Sequence, residues 1–148
     1  MRISAKGRYA LAAMIHMAAN YENGENLTVI SISERLGTSK IYLEQIFALL
    51  KRDGLLHSVK GAQGGYQLVR APRRITAADI LSAVELSLFE EPKDTVSENA
   101  PEIDQAIRAS VFDVLDEKIK ETLTNITLEA LVLAMEQHKT DGKMMFYI

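Results

Sequence analysis

The stretch Ser31-Ile32-Ser33-Glu34-Arg35-Leu36-Gly37-Thr38-Ser39-Lys40-Ile41-Tyr42-Leu43-Glu44-Gln45-Ile46-Phe47-Ala48-Leu49-Leu50-Lys51-Arg52-Asp53-Gly54 decides the fold class. Ser31 and Glu34 have capping-box spacing, so the Ser31 hydroxyl is expected to accept the third helical amide while Glu34 reaches back to Ser31. That short helix is expected to end at Gly37, a residue suited to a left-handed cap. Ser39 caps again, and a longer helix is predicted to run to Asp53 and stop at Gly54. Two helices joined by a Gly-containing turn of about three or four residues make a helix-turn-helix.

Within the second helix Leu43, Ile46, Phe47 and Leu50 form one apolar stripe. The step of about 100° per residue then places Ile41, Gln45, Ala48 and Arg52 on the opposite face, with Glu44 and Lys51 flanking it. Those residue types suit base readout. Gln bonds adenine bidentately, Glu accepts from the cytosine amino group and Ile packs on a thymine methyl, while Lys40, Tyr42 and Lys51 are placed to hold phosphates. The bland alternative is the polar side of an ordinary surface helix.

Downstream, the period changes. His57 and Val59, then Tyr66, Leu68 and Arg70, suit two strands, and Gly61-Ala62-Gln63-Gly64-Gly65 between them suits a hairpin loop that needs positive φ. A Gly-rich hairpin is a weak signal alone; directly after a helix-turn-helix it reads as a wing, with Lys60 at its base. Upstream, Ser4 caps a heavily apolar helix predicted to reach about Tyr21, followed by the turn cluster Glu22–Asn26. Beyond Pro72, Thr76 caps a helix of about Ala77 to Glu85, and residues 87–102 form a polar, acidic loop with Pro92 and Pro101. From about Glu102 to Asn125, Ile103, Ile107, Val111, Val114, Leu115, Ile119 and Leu123 mark one amphipathic helix roughly 35 Å long, longer than a small domain covers. It is expected to dimerise through those seven residues. Thr127 caps a last helix to about His138, with a loose or partner-bound tail after Asp141-Gly142.

The fold class is therefore mainly α with a small β-hairpin wing, a winged helix-turn-helix with a long C-terminal dimerisation helix. Residues 1–75 are expected to be the DNA-binding module, 76–101 a linking helix and acidic loop, and 102–148 the dimerisation helix and C-terminal helix.

Charge divides the chain the same way. Residues 1–75 hold eleven Lys and Arg against five acids, +6, and residues 76–148 hold six against fifteen, −9. The basic part can supply counterion-releasing phosphate contacts, while the acidic part is repelled from a duplex.

Composition removes other classes. With no cysteine there is no disulfide, thiolate nucleophile or thiol redox switch. His16, His57 and His138 are far apart, with no His-x-x-x-His spacing, so no metal site is expected; His16 in an apolar helix reads as a core histidine. No nucleophile elbow, P-loop or dinucleotide fingerprint appears, so no enzyme is expected. No stretch approaches the roughly 18 apolar residues of a membrane span, and Met1–Lys6 lacks the apolar run of a signal peptide, which points to the cytoplasm and no membrane partner.

Met1–Ala10, Tyr42-Leu43-Glu44-Gln45-Ile46-Phe47, Gly54-Leu55, Lys60-Gly61 through Gly64-Gly65-Tyr66, and Asn125-Ile126-Thr127-Leu128 resemble the motifs of the Rrf2 family of bacterial regulators. The resemblance covers about residues 1–138 and is most specific in the first 70. It implies a homodimer on the long helix and binding to a palindromic operator in double-stranded DNA, with repression as the expected mode. Motif and chemistry together give the candidate DNA-contacting set Ser39, Lys40, Ile41, Tyr42, Glu44, Gln45, Lys51, Arg52, Lys60, Gly61, Gln63, Gly64, Gly65 and Tyr66.

One departure matters. Cluster-binding members of that family carry three cysteines in the loop before the long helix, roughly residues 88–108 here, and this chain has none. Iron–sulfur clusters take thiolates for almost all their ligands, so no cluster or other cofactor is expected. The chain resembles the cysteine-poor branch, which points to a metabolite or a protein partner as the signal, with the space between the long helix and the winged module as its expected place. The competing class is a protein-interaction module that modulates a metabolic enzyme, and salt-sensitive retention on heparin or DNA separates the two.

Overall fold

The computed structural model describes residues 3–23, 27–61, 64–91, 93 and 95–146, the last four of these by backbone alone. Helix α1 (Ala5–Ala19) begins at Ser4, whose hydroxyl accepts the Gly7 amide at 3.3 Å. Its covered side consists of Gly7, Ala10, Ala13, Met14, Met17 and Ala18. Small residues there let α4 (Ala77–Val84) come close. At the junction the Glu85 carboxylate accepts both the backbone N–H and the hydroxyl of Ser4. A Cβ at Gly7 would run into that carboxylate and into Ile3, so a larger residue there would force the Glu85 and Ile3 side chains to move.

Helix α2 (Val29–Leu36) starts earlier than its sequence implies. Thr28 is extended and is the cap, accepting the Ser31 amide at 3.1 Å, while the Ser31 hydroxyl donates to the Thr28 carbonyl at 2.9 Å. The expected Ser31–Glu34 box therefore does not form; burial of Ile32 outweighs the poor helix propensity of Val29 and Ile30 in the first turn. Gly37 is left-handed at φ 69°, and Ser39 caps α3 (Lys40–Arg52), accepting the Tyr42 amide at 3.1 Å. Gly54, at φ 75°, turns the chain into the hairpin.

Strands β1 (Leu56–Ser58) and β2 (Tyr66–Leu68) pair antiparallel, Leu56 opposite Leu68, His57 opposite Gln67 and Ser58 opposite Tyr66. Leu27 bridges to Tyr66, which ties the approach to α2 onto the hairpin. A 3₁₀ turn at Pro72–Arg74 leads to α4, where Thr76 and Asp79 form a true capping box.

Helices α5 (Pro101–Ile107) and α6 (Asp113–Thr124) are joined by a π-turn at Arg108–Phe112. Helical dihedrals at Ile107, Arg108, Phe112 and Asp113 show that the three pieces run on as one long helix. The Thr127 hydroxyl then accepts the Ala130 amide, and α7 (Leu128–Phe146) continues through Asp141-Gly142 rather than ending near His138 with a loose tail.

One core joins α1, α2, α3, the hairpin, α4 and the start of α7: Met14, Ile32, Leu43, Ile46, Phe47, Leu50, Ile75, Ile80 and Leu128 are all fully buried. Residues 75–77 and 126–128 are stitched by Ala77 N–H to Ile126 and Leu128 N–H to Ile75, both 2.8 Å. Among the described residues no helix is long and apolar enough to cross a membrane.

His16 is partly covered on α1, and burial first, then the charges of Arg35 and Lys139, hold its pKa below the usual 6.5. The unfolded chain takes up this proton near pH 6.5 while the folded chain resists. The neutral ring's contribution is thus present above pH 6.5 and lost as pH falls through the lowered folded value. We expect thermal stability to decline from pH 7 to pH 5, and the decline to be shallower in His16→Gln. Parallel melting curves for the two proteins would refute this.

Candidate nucleic-acid interface

Helix α3 presents its two faces as the apolar spacing requires. Leu43, Ile46, Phe47 and Leu50 are each 0% exposed, whereas Ile41 is 70% exposed. Lys40, Glu44, Gln45 and Ala48 stand on the exposed side with it. Lys40 and Glu44 lie 3.6 Å apart at i,i+4, an exposed pair worth little that a duplex phosphate can readily break.

The other candidates have neighbours within the chain. The Tyr42 ring meets Tyr9 edge-on, centroids 5.7 Å apart, so α1 fixes its direction. Lys51 donates to the Ser58 hydroxyl at 3.0 Å, which makes it a tie between α3 and the hairpin. Arg52 pairs with Asp53 at 3.3 Å and reaches toward the Ala83 carbonyl of α4, away from the readout face on which simple periodicity put it.

In the hairpin Lys60 and Gly61 are exposed. Gly64 and Gly65 take φ 65° and 134°, values that favour glycine and let the loop stay narrow. Tyr66 belongs to the core side: its ring lies edge-on to Phe47 at 4.9 Å and its amide donates to Leu27. Gln63 lies outside the described residues. The sequence reading also missed an anchor: Arg70 reaches Asp79 at 3.1 Å and the Arg74 carbonyl at 2.7 Å, fixing the outgoing end of the hairpin to α4. The Thr-x-x-Asp spacing at 76–79 was its visible signal.

On the long helix Ile103, Val111, Val114 and Leu115 are 53%, 46%, 47% and 53% exposed. Ile107 and Ile119 are partly covered, and Leu123 is buried against Ala77 and Leu81 of its own chain. Leu123 is therefore intramolecular core, and Ile119 leans the same way, because α4 lies beneath that end of the helix. Leu88 and Phe89 fill the junction between the long helix and α4, with Lys120 5.1 Å above the Phe89 ring. Beside them lies an open space of about 570 Å³ whose walls include Glu91, Asp113, Asp116, Glu117 and Glu121.

Residues 3–134 match the profile of the Rrf2 family, described as an iron-dependent transcriptional regulator. The chain is 38% identical over 136 residues to the HTH-type transcriptional regulator IscR of Xenorhabdus nematophila, covering 92% of this chain and 82% of that protein. Its fold matches IscR of T. potens with a TM-score of 0.71 at 36% identity, over 93% of this chain and 90% of that one. It also matches CymR, the global cysteine regulator of B. subtilis, with a TM-score of 0.74 at 34% identity, over 90% and 98%.

Iron, which that profile's description implies, needs a fitting donor set. The chain contains no cysteine, and among the described residues no three His, Asp or Glu side chains converge as a metal site would require. Between residues 88 and 108 the donors are carboxylates, and the least exposed pair member, Asp104, is held by Arg108 at 2.8 Å. These residues do not fit an iron–sulfur cluster.

Proposed function

The chain belongs to the Rrf2 family of transcriptional regulators, which are not enzymes, and on that premise we propose that it acts in the cytoplasm as a homodimeric repressor. In this reading it reads a palindromic operator, without an iron–sulfur cluster, in response to a metabolite or protein partner. The observation that carries the proposal is the exposed face of α3, where Ile41, Glu44, Gln45 and Ala48 stand clear of the core beside a glycine-turned hairpin. The basic DNA-facing part lies in residues 1–75, and the acidic long helix is the dimer element that faces away from the duplex.

Selection of bound sequences from a random duplex library tests this. A two-fold symmetric motif should emerge, with half-site centres about one duplex turn or a multiple apart, and affinity should fall steeply with salt. Gln45→Ala is expected to relax preference at one position per half-site, costing about 1–3 kcal/mol there. Lys60→Ala should weaken all sequences alike and flatten the salt slope by about one. An unchanged selected motif in Gln45→Ala would remove α3's face from the readout.

The cluster-free reading is tested separately. Protein reconstituted anaerobically with iron and sulfide should remain colourless, and its operator affinity should not respond to oxygen. Visible absorption that follows the protein through gel filtration would overturn it.

A further inference from the structure

Six apolar residues of the long helix fall at 103, 107, 111, 115, 119 and 123, a spacing of four, with Phe112 and Val114 standing off that row. In an uninterrupted α-helix each such step advances about 40° around the axis, so five steps would carry the stripe through about 200°, from one side of the helix to the other. Its two ends could not then serve one surface.

The π-turn removes that drift. It closes with the Asp113 N–H on the Arg108 carbonyl, a span of five residues, and so contains one residue more than an α-turn. The extra residue sets everything after it back by about 100°. With this setback Ile103, Ile107, Val111 and Leu115 share an arc of about 60°, and Asp104, Asp116, Ile119 and Leu123 share a second arc of similar width. The observed exposure follows these arcs. Ile103, Val111 and Leu115 are half exposed, Ile107 at the edge nearest the second arc is partly covered, as are Asp104, Asp116 and Ile119, and Leu123 is buried.

We propose that the π-turn at Arg108–Phe112 is a phasing device for a two-fold interface with a second copy of this chain. It keeps one seam straight for the partner and the other arc on the chain's own body. This rests on the homodimer reading above. The seam calls for a matching helix, because it runs from Ile103 to Leu115, where Leu115 borders a shallow apolar groove whose other wall, Ile119 and Leu123, belongs to the arc on the chain's own body. The exposed small residues Ala106 and Ser110 let a helix axis approach closely. Carboxylates at Glu102, Asp113 and Glu117 exclude a duplex from it, and the start of this chain's own α7 is occupied at Leu128 in the core. A second copy supplies the matching seam by symmetry.

Deleting Ala109 tests the proposal, since it restores an α-turn and rotates residues 101–108 off the seam while α6 stays anchored through Leu123. In sedimentation the full-length deletion protein should dissociate at least about tenfold more readily than the wild type, with the thermal transition of the core retained. Ser110→Ala, which keeps the residue count, should dimerise normally. A deletion protein that dimerises as tightly as the wild type, or equal losses in both variants, would overturn the proposal; a monomeric wild type would instead sink the homodimer reading itself. Should the deletion protein not fold, the cysteine-free chain offers a second measurement. In Ile103→Cys, Val111→Cys and Leu115→Cys, thiol labelling should be slowed together by at least about tenfold in the dimer relative to dilute protein. Protection at Val111→Cys and Leu115→Cys without protection at Ile103→Cys would show the seam to be broken and overturn the phasing.

Discussion

Replacing Val111 and Leu115 together by aspartate is expected to leave a folded monomer whose operator affinity is lower by about 10²–10⁴-fold, the avidity that joining two half-site readers provides. Both side chains are about half exposed in the isolated chain, so the fold does not depend on them. In a two-fold seam each change is made twice, so the pair sets four carboxylates against apolar surface. Sedimentation should report monomer and melting curves should barely move, because the buried core lies elsewhere. A dimer surviving both substitutions would place the interface on another surface.

Phe47→Ala should produce the largest loss of stability, about 3–5 kcal/mol against a total of about 5–15 for a domain of this kind. Phe47 is fully buried on α3 and meets the ring of Tyr66 on β2 edge-on, so it is the joint between α3 and the hairpin. Its removal is expected to leave a cavity beneath both at once. Operator binding should fail at temperatures where the wild type is fully folded. Leu133→Ala, 64% exposed on α7, is the matched control and should change stability by no more than about 0.5 kcal/mol. A loss below about 1 kcal/mol in Phe47→Ala would mean that the site relaxes and that helix and hairpin are held together by other contacts.

What was legible in the sequence is what depends on periodicity and local caps. The stripe Leu43–Leu50, the caps at Ser4, Ser39, Thr76 and Thr127 and the left-handed Gly37 and Gly64 all follow from chemistry confined to a few residues. Where two local answers competed, tertiary packing chose: Thr28 over Ser31 as the cap of α2, because burial of Ile32 draws the helix start upstream. Lys51 and Arg52 are placed by the helical step and Tyr66 by the hairpin motif, yet in the fold they meet Ser58, Asp53 and Phe47, neighbours that neither pattern contains. The π-turn had left its trace in the sequence, since a repeat of four residues sustained over five steps is incompatible with one face of an α-helix. Reading the stripe as ordinary amphipathicity concealed both the turn and the inward direction of Leu123.

The position of Leu128 bears on how the molecule comes into being on the ribosome. The helix-turn-helix and hairpin are complete in sequence by about residue 70, but the core beneath them is closed by Leu128 and by the stitch between residues 75–77 and 126–128. A nascent chain that has emerged only as far as the acidic loop therefore carries the exposed face of α3 over an unfinished floor. It would lack a large aliphatic side chain at the centre, a deficit of about 2–5 kcal/mol and a large share of a domain's margin. Translation passes through the whole long helix before that floor is laid. On the homodimer reading proposed above, a product cut short before this point is expected to be cleared by proteolysis rather than to persist as a lone half-site reader, so the order of synthesis would couple the ability to pair with the ability to fold.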